Sequence, residues 1–198
     1  GVSIDDLKRS KVDLDHAITD ENIGRSVSDL DEPLANLIEK HKDWVASAGS
    51  SGAQPDLSGI DMRFLKTLKQ EKMTAIKAMG TKFFGMNMYQ VQLQSATLDG
   101  SDFRNCDLEE SDLRGSSFKE ANFSHATLRG SNCSALMFGG GSSTKRFSPC
   151  NFTGAKLRYV DWQGGQLKNA VFHGADLSYA DLTGADLRGA DFTGAILT

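Results

Sequence analysis

The chain has 198 residues, of which 24% are charged and 39% hydrophobic, with a formal net charge of −4. That length suits a single domain, and with no run of about 18 apolar residues and no charged-then-apolar leader, neither a membrane span nor a signal peptide is expected. Three cysteines, an odd number without CxxC or Cys/His spacing, exclude a disulfide framework and a zinc site and point to a reducing, cytoplasmic compartment.

Residues 1–27 hold few apolar positions and are expected to form a short helix or a flexible arm. The stretch SDLDEPLANLIEKHKDWVASAG that follows predicts one helix, with Asp31 as N-cap, Pro33 in the first turn and Gly49 ending it. Leu34, Leu37, Ile38, His41, Trp44 and Val45 form its apolar stripe. Residues 1–54 therefore read as an N-terminal arm and helix, and residues 55–198 as a different kind of unit.

That second unit is clearest in ADLSYADLTGADLRGADFTGA at 175–195, where Ala-Asp-Leu/Phe returns every five positions. A helix turning about 100° per residue would scatter those apolar residues around its whole surface. A straight strand, with its period of two, would send successive centres to opposite sides. An extended piece with Ala175 and Leu177 inward and Asp176 outward, followed by a two-residue corner, satisfies the pattern. Four such corners close a square coil, and stacked coils pair their backbones about 4.8 Å apart.

Repeats of fixed period signify a solenoid. Counting in fives gives one run of inward centres from Phe83 to Phe138 and another from Phe147 to Leu197, with a phase slip between them. Residues 81–198 would make about six coils, roughly 29 Å at the sheet spacing. Centres 20 apart should stack, so Phe83, Phe103 and Phe123 form one ladder and Leu93, Leu113 and Cys133 another. Beyond the slip, Trp162 and Leu182 are expected to continue the first, and Phe152, Phe172 and Phe192 the second. Leu57 and Met62 fit the first repeats. In residues 63–80, Leu68, Met73 and Ala78 keep the step but Lys66 and Glu71 would point inward, so this segment is either a degenerate coil or an inserted amphipathic helix. Cys106 and Cys150 fall in small inward slots and Cys133 in a large one, which reads as buried packing.

These repeats resemble those of the pentapeptide-repeat family, and HKDWVASAGSSGAQPDLSGIDM at 41–62 resembles the lead-in of its bacterial members. The resemblance implies a mainly β fold, a right-handed four-sided β-helix, here with an N-terminal α-helical cap. Relatives that act on DNA gyrase carry a strongly acidic solenoid shaped like duplex DNA and a C-terminal dimerisation module. This chain lacks that module, stopping in repeat at Leu197-Thr198, where a second copy or a further domain is expected to pack.

Charge argues against the DNA-mimicking role. Residues 55–198 carry 15 acidic and 16 basic side chains, and the belt of Asp102, Asp107, Glu109, Glu110 and Asp112 girdles the rod rather than lining one face. Lys and Arg are scattered without interleaved aromatics, so a nucleic-acid partner is not expected. A filled solenoid offers no concave site, His125 and His173 have no companion at a catalytic spacing, and GGGSSTK at 139–145 is out of order for a phosphate loop. Neither catalysis nor a cofactor is expected. The residues that invite recognition are the loop interruption at 139–146, where Ser142, Ser143, Thr144, Lys145 and Arg146 offer donors and positive charge on a rigid scaffold. The reading is a protein-binding scaffold, with a gyrase or topoisomerase modulator and an accessory or targeting module of a larger protein as alternatives.

Overall fold

The structure, a computed structural model, describes residues 25–138 and 146–198. Most of the chain winds through repeated short extended pieces joined by two-residue corners, and each extended piece bridges in parallel to the next coil. Lys77 pairs with Thr97 and Thr97 with Ser117, a step of 20 residues, and the intervening positions 82, 87 and 92 belong to three further columns of the same kind. One column runs through Asp56, Lys77, Thr97, Ser117, Asn151, Val171 and Asp191.

The corner explains the period. After each inward centre the chain turns, and the N–H three residues on donates back to the centre's carbonyl, as Met86 does to Phe83 at 3.0 Å. The third residue of the turn has positive φ, as at Gln90 (55°) and Gly100 (68°), the mark of a type II turn. Asp or Asn before the centre reinforces it by accepting the N–H two residues on, as Asp102 does from Arg104 at 3.1 Å and Asn122 from Ser124 at 3.0 Å. The outward Asp of each repeat is thus a fastener of its own corner.

Inside, small and large residues alternate. Leu98, Phe103, Leu108 and Leu113 have no exposed surface. Phe83, Phe103 and Phe123 stack as expected, with centroids 4.8 and 4.6 Å apart. Where Ser replaces Ala in the small slot, its hydroxyl is spent on a carbonyl of the preceding coil: Ser101 Oγ donates to Ala78 O at 2.7 Å and Ser111 Oγ to Met88 O at 3.0 Å. Ser131 Oγ instead accepts the indole N–H of buried Trp162 at 2.9 Å.

Beyond the first coil, the step of 20 is interrupted at one place. Ser117 bridges to Asn151 and Asn132 to Gln166, a step of 34, so 14 extra residues, 136–149, are spliced between Ala135 and Cys150. The aromatic ladders therefore shift from the sequence expectation. Phe152, Phe172 and Phe192 continue Phe118, not Cys133, with centroids 5.2, 5.2 and 4.8 Å apart. Trp162 takes its place above Leu128, whose N–H donates to Asp161 O at 2.7 Å, rather than above Phe123. Phe147 is not an inward centre; it is 58% exposed.

At the N-terminal side, residues 63–80 are a degenerate coil, with Leu68, Met73, Ile76 and Ala78 buried. The 3-10 turn Arg63–Leu65 absorbs one extra residue, since Asp61 bridges to Lys82 across 21 positions. Lys66, expected inward, is exposed, and Glu71 escapes the interior by pairing with Lys42 at 3.3 Å. Strand β1 (Arg25–Ser26) adds in parallel to β2 (Ile60–Asp61), followed by a 3-10 turn, Val27–Asp29, closed by a Ser26/Asp29 capping box. Residues 1–24, expected as a helix or arm, lie outside the described residues.

Helix α1 (Leu34–Ala46) begins at Pro33, with no side-chain cap; Asp31, expected as N-cap, lies two residues further out. Leu34 and His41 are buried, Leu37 and Ile38 pack on the core, and Val45 is exposed at 36%. Gly49 ends the helix with φ +87°, and Gly52 comes so close to Lys40 O that a Cβ there would sit 2.2 Å from it. His41 Nε2 reaches Thr74 O at 2.8 Å. One coil up the corresponding carbonyl, Gln94 O, accepts the Ala75 N–H at 2.7 Å, so the imidazole supplies the donor that an earlier coil would have supplied.

The insertion register makes a sharp test. Phe152→Ala should cost about 3–5 kcal/mol by denaturant unfolding, whereas Phe147→Ala, five residues away, should stay within about 0.5 kcal/mol of the parent. Equal losses would place both rings in the core and refute the splice at 136–149.

Candidate functional site

The spliced segment forms an antiparallel ribbon. Strand β3 (Leu136–Phe138) pairs with β4 (Arg146–Ser148) in the register Leu136↔Ser148, Met137↔Phe147, Phe138↔Arg146. The ribbon is fastened at its foot. Ser148 Oγ donates to Gly115 O at 3.2 Å, and Leu136 lies so closely on Gly115 that a Cβ there would meet Leu136 Cδ1 at 2.9 Å. Gly115 also has φ +68°, so this corner admits glycine on two counts.

Directly opposed residues of an antiparallel pair present their side chains together, and Met137 and Phe147 are each 58% exposed. Of the residues singled out in the sequence, Ser142, Ser143, Thr144 and Lys145 lie outside the described residues, and Arg146 is exposed on β4. The sequence pattern concealed Met137 and Phe147, because five-residue counting assigned Phe147 to the core.

Beside the foot of the ribbon, Arg114 grips Asp112 at 2.6 Å. Asp112 is one wall of a groove of about 460 Å³ that Gln70, Gln90, Gln92, Gln94 and Glu110 also line. The groove's side chains satisfy each other. Gln70 Nε2 donates to Gln90 Oε1 (2.8 Å), Gln90 Nε2 to Glu110 Oε2 (2.7 Å), and Gln94 Nε2 to Asp112 Oδ2 (2.7 Å). Burial pushes the Asp112 carboxyl up, but the Arg114 guanidinium and N–H and the Gln94 amide together hold it below its ordinary value. Gln90 and the Tyr89 hydroxyl likewise lower Glu110.

The sequence matches the model of the family described as pentapeptide repeats in eight copies, over residues 86–124, 96–132, 150–189 and 174–198. The matches stop at 132 and resume at 150, flanking the ribbon. The chain is a pentapeptide-repeat protein. Among solved structures, this pentapeptide-repeat chain is similar to HetL from the cyanobacterium Nostoc, described as involved in regulating heterocyst differentiation, at 27% identity and a TM-score of 0.49, covering 72% of this chain and 68% of HetL. It is also similar to Rfr23 from the cyanobacterium Cyanothece (20% identity, TM-score 0.47, 61% and 90% covered). A third is QnrB1, a plasmid-mediated fluoroquinolone resistance protein (23% identity, TM-score 0.36, 66% and 69% covered). No curated protein sequence matches it.

Elsewhere on the pentapeptide rod the polar groups do structural duty. Asp102 and Asp112, in the acidic belt, are paired with Arg104 and Arg114 at 2.7 and 2.6 Å. His125 stacks on Tyr159 and Tyr159 on Tyr179, centroids 4.8 Å apart in both pairs. His173 does have a companion, Asp191, at 2.7 Å one coil up, where the step of 18 residues hid it. Thr193 Oγ1 donates to the other oxygen of that carboxylate at 2.6 Å. The carboxylate sits between hydroxyl and imidazole, and His173 and Thr193 hold it well below the usual range, which makes it a weak base. Among the described residues no group of three or more His, Cys, Asp or Glu is placed to hold a metal ion, and no helix is long and apolar enough to cross a membrane.

The cysteines are all buried. Burial pushes the Cys106 thiol up to about 12, and burial with the neighbouring Cys133 thiol holds Cys150 well above its ordinary value. Thiolates are the reactive species, so native protein at pH 8 should leave Ellman's reagent uncoloured until denaturant is added, when three thiols react. Rapid reaction of the native protein would place a cysteine outside the core.

The two glycines of equal φ separate strain from contact. Gly100→Ala and Gly115→Ala both force a left-handed alanine, but only Gly115 has a neighbour to displace. Gly115→Ala should be the more destabilising by about 1 kcal/mol or more; equal losses in thermal unfolding would mean that the ribbon does not rest there.

Proposed function

We propose that this protein is a non-catalytic protein-interaction scaffold whose ribbon, 136–149, makes the contact. The observation that carries this reading is the exposed Met137/Phe147 pair held on a ribbon whose foot is locked to Gly115. Exposed aromatic and methionine side chains are enriched at interfaces, and a rigid support lowers the ordering cost of binding. Arg146 on β4, with Lys145 and the hydroxyls of Ser142, Ser143 and Thr144 between the strands in sequence, suits a partner with an apolar cleft rimmed by acidic groups. The rod is the support: a right-handed four-sided coil over 55–198, with 1–54 as an N-terminal unit whose helix α1 closes the open edge of the first coil. His41 on Thr74 O and Gln54 Nε2 on Ala75 O at 2.6 Å favour that closure. Three buried thiols suit a reducing compartment such as the cytoplasm.

The reading as a DNA-shaped inhibitor of a topoisomerase is less favoured, because two of the belt carboxylates, Asp102 and Asp112, are neutralised by arginines of their own coil. The test is capture of partners from native extract by the full chain, by Met137→Ser/Phe147→Ser, and by a chain lacking 140–145. A saturable partner lost with both ribbon variants, whose melting temperatures match the parent, is the expected result. A partner retained by both would move the contact to the rod faces, and an insoluble deletion product would mean that 140–145 complete a coil.

A further inference from the structure

His41 is 1% exposed, and its two ring nitrogens have opposite fates. Nε2 faces the carbonyl of Thr74 at 2.8 Å, and because a carbonyl only accepts, Nε2 carries the proton. Nδ1 is then a bare lone pair, and it is the buried side-chain nitrogen or oxygen that finds no hydrogen-bond partner among the described residues. The ring stacks on Trp44, centroids 5.8 Å apart. Among the described residues no acceptor waits for a second proton. The charged groups at this contact are Glu39 and Lys42 on the helix and Glu71 on the first coil, and they are tied to one another at the rim, Lys42 to Glu39 at 2.8 Å and to Glu71 at 3.3 Å.

We infer that His41 makes the attachment of helix α1 to the first coil acid-labile, so that mild acid releases the helix and bares the edge carbonyl of Thr74 and the first coil's apolar residues. Protonation of Nδ1 would bury a cation and an unsatisfied N–H together, a state the docked helix excludes. The released helix hydrates the imidazolium freely. Desolvation lowers the docked pKa more than the Thr74 bond raises it. Above the ordinary histidine value of about 6.5, both forms are neutral and the attachment is at full strength. Below it the released form binds a proton that the docked form refuses, so docking weakens about tenfold per pH unit until the docked pKa is reached. This device is independent of the ribbon and of any partner it binds.

Two measurements on the full chain test it. In a proton NMR titration the His41 ring should titrate below 6.5; a midpoint at or above that value overturns the inference. In hydrogen exchange corrected for intrinsic rates, protection of residues 34–46 should fall about tenfold between pH 7.5 and 5.5, with that of the inner coils unchanged. His41→Gln keeps an amide donor for Thr74 O without a titrating group and should flatten that profile. Glu71→Gln should keep it. A His41→Gln chain that still loses protection, or a Glu71→Gln chain that no longer does, would assign the response to other groups and sink the proposal.

Discussion

Everything in this molecule depends on one closed circuit of backbone hydrogen bonds. Each coil must return after 20 residues so that its N–H and C=O groups meet those of the coil before it, as at Leu93 and Asp112 (2.8 Å) or Leu108 and Thr127 (2.8 Å). A buried peptide group without a partner is costly, so the path of each coil leaves the next little choice. The side chains are then selected by position. Large apolar residues fill the centres, small ones the flanking slots, and glycine or another residue tolerant of positive φ completes each corner.

The same constraint accounts for the ways in which the chain departs from its own rule. Where Ser takes a small slot, its hydroxyl finds a carbonyl that the backbone geometry already offers. Where a coil has no predecessor, as at Thr74, a side chain from helix α1 supplies the missing donor. Where extra residues enter, they leave at one corner and return at the equivalent position, because the pairing on either side, Asn132 with Gln166 and Ser117 with Asn151, cannot drift. The interior of such a rod is committed to packing.

Much of the coil was legible because its signal is dense and repeated. Ala, Asp and Leu at fixed spacing identified inward and outward positions from Phe83 to Cys133 and from Phe152 onward, and all of those centres up to Leu177 are buried. The splice was not, because a five-residue period cannot distinguish an inserted apolar residue from a centre. Phe147 kept the step by coincidence, and its would-be inward neighbour, Lys145, was the residue that broke it. Counting back from Cys150, the first small inward residue, places the boundary where the structure has it. The degenerate first coil was ambiguous for a related reason: Glu71 looks unfit for an interior until Lys42, 29 positions earlier, is known to lie beside it. The His173–Asp191 pair and the amide groove are products of stacking, visible only once residues one coil apart are neighbours.

The ribbon's place in the coil also says how easily such a rod can acquire an appendage. Closing a coil over 34 residues instead of 20 adds only about 0.5 kcal/mol of loop entropy, because that cost grows with the logarithm of length. Each coil meets only its two neighbours, so the disturbance is confined to a single seam and the ladders resume above it in register. A stack of this kind is a permissive host: segments of many lengths can be set into a corner, and inherit from it a fixed position and direction, without the rest of the sequence having to change.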